Sequence, residues 1–195
     1  MKKVLLIMMA ALVAVSMPAV AQQKKTVKKR TTTTVKKKPV SQPVKIEMDE
    51  PCIAGGALAF NGIPINLSDA EMASELKSQG FTYKKDEYGN GGLWYGKAFG
   101  AEGKVWVGKD PARVTFTEKK EYSKVQARKR VMAYKEAFEE ASGCTATENT
   151  MGWNSDEGGM VKIPINSSYI EISYANCDEV EFSSNLFTIN ILYQE

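Results

Sequence analysis

Two periods run through the apolar positions of this chain. Between Ser68 and Gly80, Met72, Ala73 and Leu76 recur at helical spacing. Ser68 and Glu71 form an S-x-x-E capping box in front of them, and Leu67 and Met72 sit where a hydrophobic staple closes. Gly80 follows as a residue that takes positive φ at a helix end. This spacing predicts a short helix over about 69–79. A second stripe, Ala127, Val131, Tyr134, Phe138 and Ala141, lies between the S-x-x-Q box of Ser123 and Gln126 and the stop at Gly143. It predicts a longer helix over about 124–142. Its charges oppose the helix dipole, with Arg128, Lys129 and Arg130 early and Glu136, Glu139 and Glu140 late. Burial of the stripe outweighs that term, which costs about 1 kcal/mol or less per charge.

Elsewhere the period is two. Val105 and Val107 share a face, as do Val114 and Phe116; Ile170, Ile172 and Tyr174 alternate with polar residues, and so do Phe187, Ile189, Ile191 and Tyr193. Together with Leu93–Phe99 and Met160–Ile165, these predict two groups of three strands. Gly100–Gly103 and Lys109–Ala112, the latter containing Asp110-Pro111, supply turns. Ala57–Phe60 and Ile63–Ile65 read as short edge strands, because Pro64 does not suit a central one. The tetrapeptide IPIN at 63–66 and 163–166, and the order helix, three strands, helix, three strands, point to two similar halves. The predicted fold class is α+β: two layers, an antiparallel sheet with two helices on one face, as two αβββ halves.

Composition divides the chain of 195 residues. Residues 1–21 read as a secretory signal peptide: Lys2 and Lys3, an apolar run of 12 from Val4 to Val15, and an A-x-A site at Ala19–Ala21. A spanning helix needs about 20 apolar residues, so no membrane span is expected in the mature chain. Residues 22–45 are rich in Lys, Thr and Pro, with 9 cations and no acid, and are expected to be disordered. Lys24, Lys25, Lys28, Lys29, Arg30, Lys36, Lys37 and Lys38 are the candidate contacts to an anionic surface; a solvated spacer is the competing reading. Residues 46–195 form the single predicted domain, with 15 Lys/Arg against 23 Asp/Glu, a balance of −8. An acidic domain thus follows a basic arm, and the expected location is periplasmic or secreted.

The chain has no histidine. This removes His-based general acid–base catalysis, Ser-His-Asp and Cys-His arrangements, and the commonest ligands of zinc, copper and haem. No cofactor or metal is expected. Asp86-x-Tyr88-x-Asn90-Gly91 and Asn154-x-Asp156 lack the remaining ligands of a calcium loop and read as turns. Cys52, Cys144 and Cys177 follow the leader. The favoured pairing is Cys144–Cys177, which would close about 34 residues and stabilise by roughly 3–4 kcal/mol; Cys52–Cys177, Cys52–Cys144 and three buried thiols remain open. Trp94, Tyr95, Trp106 and Trp153 are candidate ligand-surface residues. Trp94 and Tyr95 must point to opposite faces of one strand, so at least one ring faces away from the core. Ordinary packing is the competing reading of these rings.

From Phe60 to about Thr117 the chain resembles a group of exported proteins of Bacteroides-type bacteria. The shared pattern is carried by Phe60, Gly62-Ile63-Pro64-Ile65, Leu76-Lys77, Gly80-Phe81-Thr82-Tyr83 and Gly96-Lys97-Ala98-Phe99-Gly100. At fold level the arrangement is also similar to tandem helix-plus-sheet modules such as beta-lactamase inhibitor protein, which bind proteins. These shared motifs are structural and bear on the fold; the preferred functional reading is an exported, non-enzymatic interaction module whose partner is an envelope protein or anionic polymer. Nucleic acid is not expected, and the oligomeric state is open. The alternatives are a carbohydrate-binding module using surface tryptophans and a carboxylate-dependent hydrolase.

Overall fold

The computed structural model describes residues 44–48, 50–85, 91–149, 158–176 and 186–195, all within one compact unit, Ser41–Glu195. The leader and the arm cations from Lys24 to Lys38 lie outside the described residues, as do Asp86 to Asn90, Trp153, Asn154, Asp156 and Cys177.

Two helices form where the capping boxes predict them. Helix α1 spans Asp69–Ser78 and α2 spans Lys124–Ser142. In α1 the backbone N–H of Ser68 donates to Glu71 Oε2 at 3.0 Å, and the Glu71 N–H returns a bond to Ser68 Oγ at 3.4 Å. The Ser68 hydroxyl, then its backbone N–H, hold the Glu71 carboxyl below its usual range. In α2 Gln126 Oε1 accepts from both the backbone N–H and the hydroxyl of Ser123. Gly143 ends the helix at φ 70°, a conformation glycine adopts without a Cβ clash.

Twelve strands lie among the described residues. The short β1 (Ile53–Ala54), β2 (Ala57–Phe60) and β3 (Ile63–Pro64) make a small antiparallel sheet. A meander of β4 (Thr82–Lys85), β5 (Gly92–Ala98), β6 (Ala101–Gly108) and β7 (Arg113–Glu118) follows α1. The two-residue β8 (Tyr122–Ser123) leads into α2. A second meander follows: β9 (Thr147–Asn149), β10 (Gly158–Ile165), β11 (Ser168–Asn176) and β12 (Leu186–Gln194). The last strands of the two meanders, β7 and β12, pair antiparallel, giving a 9-stranded sheet in the order β4-β5-β6-β7-β12-β11-β10-β9, with β8 also on β12. The architecture is α+β and antiparallel, in two halves. Each half carries a fourth, outermost strand, β4 or β9, beyond the three that alternation predicts.

Register shows which side chains share a face, because directly paired residues point the same way. Tyr83, Trp94, Val105, Phe116, Ile191, Ile172 and Val161 are successive partners from β4 to β10. All but Tyr83, on the edge strand, are buried. This is the core face, and α1, α2 and the small sheet cover it. Helix α2 packs on β10, β11 and β12 through Ala127, Val131, Tyr134 and Phe138 of its predicted stripe, joined by Ala133, while the predicted Ala141 is exposed in the last turn. Phe60 of the small sheet stands at the centre, with its ring 5.8 to 6.0 Å from those of Phe81, Phe99, Phe116 and Tyr193. Two glycines on this face make room for rings: a Cβ on Gly96 would lie 2.5 Å from the Phe81 ring, and one on Gly103 would lie 2.4 Å from Phe116.

Candidate functional site

The opposite face of the large sheet is where the chain presents chemistry. Among the described residues no element packs on it. Its side chains follow from the same register: Tyr95 pairs with Lys104 and Lys104 with Thr117; Lys97 pairs with Glu102; Trp106 pairs with Thr115. Across the seam, Thr117 donates to Asn190 Oδ1 at 2.8 Å. Strand alternation therefore sends Tyr95 and Trp106 outward while their neighbours Trp94 and Val105 enter the core. Tyr95 is 38% and Trp106 39% exposed; Trp94 is 8%. The opposite orientation of Trp94 and Tyr95 is thus realised, and Trp94 leaves the candidate outer platform because it belongs to the core face.

Each exposed ring carries a cation. The Arg113 guanidinium lies 4.8 Å from the Trp106 ring centroid and the Lys84 ammonium 5.1 Å from that of Tyr95. The indole of Trp106 lies against Gly108, where a Cβ would come within 2.3 Å of it. Beside Tyr95 the face sinks into a depression of about 390 Å³, lined by Lys84, Tyr95, Lys97, Glu102 and Lys119 over the paired Gly96 and Gly103. A second concavity of about 510 Å³ shares Glu102 and Lys119 and runs round the sheet end to Lys120, Tyr122 and Arg130. The Lys119–Glu102 ion pair at 3.8 Å is exposed on both sides, and such pairs contribute about 1 kcal/mol or less.

Behind that second concavity sits the one buried charged residue among the described residues, Glu118, which is 1% exposed. Glu118 faces the core from β7. Arg130 Nε donates to its two oxygens at 2.6 and 2.8 Å, and the hydroxyls of Tyr122 and Tyr134 donate one to each oxygen. Arg130 is the early cation of α2 that opposes the helix dipole, and this pairing offsets its cost there. Burial, then the neighbouring Glu118, raises the Tyr122 and Tyr134 phenols above their ordinary range. With both carboxylate oxygens engaged, Glu118 clamps α2 to β7 rather than facing a substrate.

A third concavity, of about 500 Å³, lies between α1 and the sheet edge, with Met72, Tyr83, Trp94 and Val107 as its apolar wall and Asp69, Lys77 and Lys109 at its rim. Lys109 bonds the Leu67 carbonyl and pairs with Asp69 at 3.6 Å, which joins the β6–β7 turn to the start of α1. None of these three concavities sets two described carboxylates against each other. Among the described residues no group of three Cys, Asp or Glu side chains is placed to hold a metal ion, and no helix is long and apolar enough to cross a membrane.

Of the residues singled out in the sequence, the structure brings together Tyr95 and Trp106, and it places Trp94 beneath them on the other side of the sheet. Cys52 is a buried free thiol and Cys144 a half-buried one; the pairing partner Cys177 lies outside the described residues. Burial raises the Cys52 thiol, so it is a poor nucleophile. The outer-face lysines escape sequence reasoning because Lys97, Lys104 and Lys119 sit on different strands and meet only through register. Comparison with protein-family models, with curated proteins and with solved structures finds no match to this chain.

Proposed function

We propose that this protein is an exported, non-enzymatic interaction module that docks a protein or polymer partner of the cell envelope on the outer face of its large sheet. The observation that carries this reading is the pairing of two exposed rings, Tyr95 and Trp106, with stacked cations on a sheet face that no described element covers. Rings of this size contribute most when they are buried in a contact. The buried carboxylate is fully engaged, and among the described residues no concavity pairs it with a second carboxylate for the hydrolase reading. In this reading the basic arm adds affinity for anionic surfaces by charge alone.

Co-sedimentation with purified envelope fractions tests the reading. The full chain, a chain starting at Ile46, and the pair Tyr95→Ala/Trp106→Ala are compared across a salt series. Loss of most binding in the double variant, with a smaller and salt-sensitive loss on removing the arm, is the expected outcome. Binding that vanishes with the arm and ignores both rings would overturn it.

A further inference from the structure

The domain balance of −8 hides a local excess of the opposite sign. On the outer face of β4 to β7, and on the residue just past β7, stand five cations, Lys84, Lys97, Lys104, Arg113 and Lys119, against one carboxylate, Glu102. Lys119 belongs to this face because its N–H donates to the Glu102 carbonyl, which continues the β6–β7 ladder. The outer face of the other half carries Glu171 and Lys162, which pair directly across β11 and β10, and its other described side chains, Met160, Tyr169 and Leu192 among them, carry no charge. Among the described residues, the excess of cations on this face is therefore confined to one half of it. They surround the two exposed rings and line the depression over Gly96 and Gly103. By strand spacing the patch is roughly 14 Å across and similar along the strands.

We infer that this half-face binds an acidic polysaccharide, a polymer whose sugar rings carry carboxylate or sulfate groups. The inference rests on the outer-face docking reading and names the ligand class for it. Three features select that class. Like charges brought together on a protein of opposite net charge repel one another and need an anion to offset them, so the partner is negative. The centre of the patch is lysine-rich and shallow, whereas protein interfaces deplete lysine from their buried centre and seat aromatic anchors in pockets. Single-stranded nucleic acid stacks successive bases along a line of rings, whereas the described residues of this half-face offer two exposed rings, Tyr95 and Trp106, each with a cation beside it. A saccharide unit meets this arrangement with both of its parts: the acid group on Lys or Arg, and the apolar face of the sugar against the adjoining ring. The second concavity, reached past Lys119, extends the same chemistry to Lys120.

The test measures binding of the full chain, purified as expressed, to immobilised polygalacturonate, neutral dextran, poly-L-glutamate and an oligo-dT strand over a salt series. The basic arm binds every polyanion alike in all variants, so the share of the face is the difference between wild type and variant. The triple variant Lys97→Ala/Lys104→Ala/Lys119→Ala is expected to bind polygalacturonate roughly tenfold more weakly with a shallower salt dependence, given three exposed charge contacts. Trp106→Ala is expected to weaken binding with an unchanged salt slope. A Lys→Gln set of the same three positions replaces the Ala set if its thermal midpoint falls. Equal affinity of wild type and variants for polygalacturonate would overturn the inference, as would a larger loss on poly-L-glutamate or oligo-dT, or equal binding of dextran. The two levels separate cleanly. If Tyr95→Ala/Trp106→Ala abolishes envelope co-sedimentation while polygalacturonate binding does not change, the docking face stands and the ligand class falls. If neither changes, the docking face itself falls.

Discussion

At the scale of single residues, the most informative groups are buried hydroxyls. The Tyr193 hydroxyl lies in the core with no hydrogen-bond partner among the described residues, and burial, then the nearby Cys52, raises its phenol well above 10.0. An unpaired buried polar atom costs about 1–3 kcal/mol. Tyr193→Phe is therefore expected to raise the urea midpoint by an amount equivalent to roughly 1 kcal/mol at neutral pH. The same variant fixes the sign of the alkaline response. Tyr122, Tyr134 and Tyr193 all have raised folded values. Their contribution is full below the ordinary tyrosine value of 10.0 and is lost as pH rises above it, because only the unfolded chain then ionises them. The advantage of Tyr193→Phe over wild type should grow above pH 10, since one of the three protonated phenols is gone. A gain that stays flat with pH would remove Tyr193 from that set. No pattern in the sequence marks these residues: Glu118 reads as the polar end of a strand, and only the fold brings Arg130, Tyr122 and Tyr134 onto it.

At the scale of elements, the sequence was most legible where local chemistry decides the outcome. The capping boxes located both helices, and period-two alternation located β6, β7, β11 and β12 to within a few residues. It was least legible at the sheet margins. Thr82–Lys85 is exposed on every residue, so β4 has no alternation to read, and Thr147–Asn149 is too short to show one. Both are strands only because a longer neighbour offers its backbone. Face assignment was half legible: opposite orientation of Trp94 and Tyr95 follows from the pleat, but which one enters the core depends on Gly96 and Phe81. Gly96 leaves the space that the Phe81 ring occupies. Gly96→Ala is expected to cost about 1–3 kcal/mol by overpacking, with a change in near-ultraviolet circular dichroism as the ring moves. Gly100→Ala, where a Cβ meets nothing but φ is 72°, serves as the comparison for pure backbone strain. If both variants lose the same stability and leave the aromatic signal unchanged, the ring-over-glycine account fails.

At the scale of the whole molecule, the two halves share one core. Phe116 of the first meander and Ile191 of the second are direct partners at the seam, and both are fully buried in a single apolar cluster reaching from Ile46 to Tyr193. Ile191→Ala is expected to cost about 2–5 kcal/mol. In a Trp106→Phe/Trp153→Phe background, tryptophan fluorescence reports on Trp94 in the first half and should shift its midpoint together with far-ultraviolet circular dichroism. Separate midpoints would show that the halves unfold independently. This scale also holds what sequence could not supply for the candidate site. Lys97, Lys104 and Lys119 are each a single cation in an ordinary alternating strand or turn, and the patch exists only after three strands have been laid side by side.

The seam has a further consequence for how the protein is made. Its central pair joins β7 to β12, and all of the second half that precedes β12 is synthesised between them. A chain that has emerged only as far as Glu118 ends its first meander on a bare edge, a row of N–H and C=O groups with nothing to bond. Nothing on the first half can occupy that row; it waits for a strand that arrives after α2 and three further strands. Closing so long a loop is slow, and the open edge persists for that interval. During synthesis, the protein's most vulnerable surface is thus the line that later becomes its most protected interior, and it is exposed until the final strand is in place.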